Sequence, residues 1–208
     1  MTVIQLTKVE ADLHLYLQDE SVLISADFSA VVGDVIAFTS SVVTNGLRKA
    51  LGEVATTPNE LENRSFLEVA DVIVEHHLRL VRASEREIAR KSLLEAYFHA
   101  AGPQYVFEPP SKTSFVRLLR KWGTRDFAAL LLSLHLFNSI SLAVQDKVRA
   151  KMPDIRSFEL YMLGLESVCR DSVRTAIQNV HGEPGPLWAR EVASHIEEQL
   201  LHVASPVK

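Results

Sequence analysis

Residues 127–144, FAALLLSLHLFNSISLAV, carry no formal charge and form the longest uninterrupted apolar run in the chain. At about 1.5 Å per residue the run spans roughly 27 Å as a helix, near the lower limit for crossing a bilayer. Its polar content argues for a protein core instead. On a 3.6-residue wheel Ser133, Asn138, Ser141 and Gln145 gather on one side with His135 at their edge, while Leu130, Leu131, Leu134, Phe137 and Leu142 fill much of the rest. In lipid each of those polar groups would need a partner on another membrane helix, and the sequence shows no obvious second run of this kind. The expectation is a buried central helix with no membrane insertion.

The ends of that helix are marked. Gly123 can close a preceding helix, Thr124 can cap the next, and Asp126 places a negative charge at the positive end of the dipole. Lys147, Arg149 and Lys151 gather at the other end, and Pro153 forbids continuation. These signals predict a helix over residues 124–151.

With 208 residues, 47% of them hydrophobic, the chain is long enough for one sizeable core, and no linker-like stretch divides it. Residues 1–208 therefore read as a single helical domain. The 22 basic and 26 acidic side chains give a net charge of −4, which offers no global attraction to nucleic acid or anionic lipid. Cys169 is the sole cysteine, and MTVIQLTKVEADL lacks the pattern of a secretion signal, so a reducing, cytoplasmic setting is expected.

Residues 1–26 admit two readings. Leu13, Leu15 and Leu17 alternate with polar neighbours as in a short hairpin, while Thr7 and Glu10 form a capping box ahead of Val9, Leu13 and Leu17 at helical spacing. A helix follows over residues 28–51, weakened by Gly33 and Gly46. Thr57, Pro58 and Glu60 open another that runs to residue 82, with Phe66, Ala70, Ile73, His77 and Val81 as its apolar stripe. Ser84 and Glu87 repeat the capping box before a helix that Gly102 and Pro103 end.

Residues 102–111, GPQYVFEPPS, form the one long irregular stretch, expected as an ordered loop or lid with Tyr105 and Phe107 pinned against the body. A short helix over residues 112–122 leads into the central one. Asp154 then caps a helix over residues 155–181, whose seam includes Ile155, Phe158, Met162, Leu165, Cys169 and Val173, and a last helix carries Trp188, Val192, Ile196 and Leu200. The fold class is all-α: a bundle-like array of seven to eight helices around the central one.

Few residues suggest chemistry. His135, in the most apolar stretch, could ligate haem iron or carry a proton, or it could be a core histidine bonded to Asn138, Ser133 or a backbone carbonyl. His77 poses the same alternatives on its own stripe. Glu95 and His99, one turn apart, read as a surface ion pair, since neither a di-iron Glu-x-x-His pattern nor H-E-x-x-H is present. Arg117, Arg120 and Lys121, with Trp122 and Arg125, make a local basic patch for a phosphate, an acidic partner surface or a nucleic-acid backbone, the last opposed by the acidic balance and the lack of a binding motif, or else the solvated face of an amphipathic helix. Cys169 sits on an apolar seam with nothing to lower its pKa. No nucleophile elbow, dinucleotide fingerprint or Walker loop occurs.

The leading expectation is a non-enzymatic helical interaction or regulatory module, with a protein partner or a second copy of itself. The first alternative is a sensor for a small hydrophobic ligand or haem, with the pocket beside the central helix, His135, His77 and Asn138 inside, and Tyr105 and Phe107 on the gate. The second is a cofactor-independent helical enzyme using a histidine and a carboxylate.

Overall fold

The computed structural model describes Val9, residues 24–55 and residues 57–202. Among them are eight α-helices and no strand, so the chain is all-α and bundle-like. They are α1 Ala26–Asn45, α2 Leu47–Val54, α3 Pro58–Leu61, α4 Phe66–Leu78, α5 Arg86–Ala101, α6 Phe115–Lys151, α7 Ile155–Asn179 and α8 Pro186–His202. The expectation for residues 1–26 lies outside the described residues except at Val9, which is buried in the core, and at residues 24–26.

The helix ends follow side-chain and glycine chemistry. Ser25 accepts from the Phe28 amide at the start of α1, and Asp154 accepts from the Ser157 amide at 2.7 Å at the start of α7. Gly123, at φ +78°, kinks α6 into two arms, and the second arm is the central helix expected over residues 124–151. It is flanked by α1, α5 and α7, while α8 crosses α1 and α7. The buried apolar side chains gather in one cluster around it.

Several boundaries differ from expectation. The helix over residues 28–51 is two, because Gly46 at φ +88° interrupts it. The helix expected to run from Pro58 to residue 82 is also two. Thr57 makes no side-chain cap, α3 stops after one turn, and Ser65 with Glu68 forms the capping box that starts α4. Ser84 does not cap α5, whose N-cap is Glu85 without a side-chain bond.

The wheel of the central helix also needs correction. His135, Asn138 and Ser141 are buried, whereas Leu142 is 61% exposed. The helix is largely enclosed through Ser141 and then emerges, so His135, Asn138 and Ser141 lie inside, Ser133 is half-buried, and Leu142 and Gln145 are outside. A second run of membrane length is present as well. By length and hydropathy both α1 and α6 could cross a bilayer, and 56% and 61% of their most apolar windows are buried within this fold.

Residues 102–111 are an ordered strap, but not one pinned by its aromatic side chains. Phe107 is 76% exposed, and Tyr105 is exposed too. The backbone holds the strap. The carbonyls of Glu108 and Val106 each accept at 2.7 Å from the amides of Phe66 and Leu67, two otherwise unsatisfied donors in the first turn of α4.

Candidate functional site

The central arm of α6 carries the histidine singled out from sequence. His135 lies flat on Phe28 of α1, with ring centroids 3.4 Å apart and planes within 10°. Its expected hydrogen bonds to Asn138 or Ser133 are not formed. Ser133 donates to the Ala129 carbonyl, and Asn138 donates to Ser92 at 3.1 Å and Glu95 at 2.8 Å. His135 Nδ1, Asn138 Oδ1 and Ser141 Oγ find no hydrogen-bond partner among the described residues. Burial pushes the His135 imidazole down to about 3, so the ring is neutral at ordinary pH.

Glu95 and His99 do not pair as expected. Glu95 turns toward α6 to meet Asn138 and also lies 4.0 Å from Lys91, while His99 stacks on Trp122 at 5.5 Å.

His77 is tied into a network that joins three helices. Its Nδ1 lies 2.6 Å from Asp34 on α1 and its Nε2 lies 2.8 Å from the Tyr97 hydroxyl on α5. A carboxylate only accepts, so Nδ1 carries the proton, and Nε2 shares the second hydrogen bond with the Tyr97 hydroxyl. Partial burial acts to raise the Asp34 pKa, but the hydrogen bond and charge of His77, with Arg79 and His76 beyond, outweigh it and hold the carboxyl below its usual range. Burial, and secondarily the Asp34 charge, hold the Tyr97 phenol well above its ordinary value.

His77 and Tyr97 are fully enclosed, and Tyr97 is ringed by Phe38, Phe115 and Phe127. Both nitrogens of His77 are engaged, and the Tyr97 side chain has no exposed surface. The arrangement works as a tie between α1, α4 and α5. Asp34 belongs to no motif, and the signal that marks it in the sequence is a lone carboxylate in SAVVGDVIAF.

The basic patch divides. Arg117, Arg120 and Lys121 are exposed on one face of the first arm of α6, without an ion pair among the described residues. Arg125 is not part of that face. Its guanidinium donates to the carbonyls of Ile177 and Val180, each at 2.8 Å, and lies over Trp188 at 5.6 Å. It satisfies the open carbonyl end of α7.

Two clefts flank α7. One, of about 560 Å³, lies where α5, α6 and α7 converge and is bordered by His99, Trp122, Leu130, Arg170 and Arg174. The other, of about 410 Å³, is an apolar groove bordered by Phe137, Phe158, Met162, Leu163, Glu159 and Glu166. Neither borders His135, His77, Asn138, Tyr105 or Phe107.

No family model, curated protein or solved structure matches the chain.

Among the described residues no three His, Cys, Asp or Glu side chains converge as a metal site. Burial, and then the nearby Glu166, push the Cys169 thiol up to about 12. The outer face of α7, which no sequence motif marks, exposes Ile155, Leu160 and Leu163, which are 59%, 40% and 59% exposed. Beside them stand Arg156 and Glu159, exposed and without an ion pair among the described residues. The seam periodicity correctly buries Leu165, Cys169 and Val173, but Ile155, at the first turn, stands clear of the core.

Proposed function

We propose that this chain is a non-enzymatic helical interaction module that self-associates through the outer face of α7. The observation that carries the reading is the row Ile155, Leu160 and Leu163, bare on one helix beside the apolar groove and interspersed with the unpaired Arg156 and Glu159. Isolated exposed leucines are ordinary on a protein surface. A clustered row with a polar border marks a contact face.

The pattern of the row suits a second copy of the same chain. A two-fold contact brings a patch against itself, so the patch must complement its own reversed image. Antiparallel pairing of two α7 helices about a dyad between residues 157 and 158 sets Arg156 opposite Glu159 of the other copy, and Ile155 opposite Leu160. Both unpaired charges gain partners, Ile155 of each copy meets Leu160 of the other, and Leu163 lies just beyond that pair, level with residue 152 of the other copy.

Charge reversal tests this register. Arg156→Glu alone and Glu159→Arg alone each set like charges across the dyad, and both should weaken the dimer by at least about tenfold. The double variant restores opposite charges and should dimerise like the unaltered protein. The reading fails if the single variants associate as the parent does, or if the double variant gains nothing over them.

A further inference from the structure

We infer that the cleft between the end of α5, the central arm of α6 and α7 binds a small monoanionic carboxylate with an aromatic or aliphatic body. The inference does not rest on self-association, since Ile155, Arg156 and Leu160 do not border this cleft.

At about 560 Å³ the cleft lies within the size range of small-ligand sites. Leu130 from α6 with Val173 and Ile177 from α7 make its floor apolar. Trp122 and the His99 ring, stacked at 5.5 Å and inclined by 29°, place an aromatic pair on the lining against which a planar body can pack.

The rim supplies the polar end. Arg170 and Arg174 stand one turn apart and, among the described residues, pair only with Glu166 at 2.6 Å and Asp171 at 2.8 Å on their own helix. Exposed pairs of this kind hold little free energy. Either guanidinium can therefore turn to a ligand carboxylate, to which it offers a planar two-pronged donor, without leaving a buried charge behind. Asp126 on the same rim opposes further negative charge, which favours a monoanion over a phosphate or a dicarboxylate.

Two probes of matched shape separate the terms: naphthoate, which is anionic, and naphthalenemethanol, which is neutral. In calorimetric titrations of the full chain, naphthoate should bind saturably at one site per chain. The exposed double substitution Arg170→Gln with Arg174→Gln should weaken naphthoate about tenfold or more and leave naphthalenemethanol unchanged. Trp122→Leu should weaken both probes. Absence of saturable naphthoate binding to the unaltered chain, or equal naphthoate affinity in the double variant, would overturn the assignment.

Discussion

Gly33 in the middle of α1 lies directly against Pro186 at the start of α8. A Cβ placed on Gly33 would fall 2.5 Å from Pro186 Cγ and 2.9 Å from its Cα. Glycine in a helix interior costs about 1 kcal/mol relative to alanine, and here it allows one helix to seat on another. Gly33→Ala should therefore destabilise despite its better helix propensity. A net loss of about 1–2 kcal/mol is expected, because the backbone of α8 has to move. Urea denaturation measures it, and a gain in stability would show that α8 is not seated there.

The Asp34–His77–Tyr97 tie predicts that a conservative change will be costly. Tyr97→Phe keeps the ring that packs on Phe38, Phe115 and Phe127 but leaves His77 Nε2 buried without a partner. The expected loss is about 1–3 kcal/mol by denaturant melts. A change below about 0.5 kcal/mol would mean that the hydroxyl contributes nothing to the tie.

His135 predicts a pH dependence with a definite sign. The unfolded imidazole titrates near 6.5, while the folded one is held down to about 3 by burial. Below the unfolded pKa the unfolded chain takes up a proton that the folded chain does not, so stability is complete above it and drains away as pH falls toward the folded value. Between about pH 7 and about pH 5 this one group removes roughly 2 kcal/mol. His135→Leu should abolish that share. His76, lowered by its own partial burial, contributes with the same sign and is retained in both proteins. Identical pH profiles for the two would contradict the enclosed, neutral imidazole.

Arg125→Met should act locally. It keeps an aliphatic stem beside Trp188 but removes both donors to the Ile177 and Val180 carbonyls. The amides of the last turn of α7 should exchange with solvent faster, with a global loss of about 1–3 kcal/mol. Arg120→Met, on the exposed face of the first arm, should stay within about 0.5 kcal/mol of the parent.

The strap predicts a contrast between neighbours. Phe107→Ala should change stability by less than about 0.5 kcal/mol, since the strap is held by its backbone carbonyls. Phe66→Ala, at the residue whose amide donates to one of them and with its ring buried 5.1 Å from Phe115, should cost about 3–5 kcal/mol. A comparable loss at both positions would return the aromatic side chains to the role expected from sequence.

The legible parts of the fold are those set by local chemistry. Residues 127–144 lack charge, and Gly123, Asp154 and Pro186 act on their immediate neighbours, so the central arm, α7 and α8 follow from the sequence. Where two local signals compete the reading fails. Thr57-Pro58 and Ser65-Glu68 are both helix starts, and only packing decides that α3 ends after one turn.

The sites are less legible because their residues are distant in sequence. His77 meets an aspartate from α1, and Arg125 meets carbonyls from the end of α7. A helical seam assigns Ile155 to the core, but nothing local says that the first turn of α7 extends past the body it packs on. The cleft at Trp122 gathers three helix segments, and its arginines read in sequence only as intrahelical ion pairs.

Sedimentation equilibrium of the full chain, across micromolar concentrations, tests the central claim most directly. The unaltered protein should rise from its monomer mass of 23.2 kDa toward twice that value, while Leu160→Lys with Leu163→Lys stays at the monomer mass throughout. A parent protein that remains monomeric at every concentration, or a double variant that associates as strongly as the parent, would contradict self-association through α7.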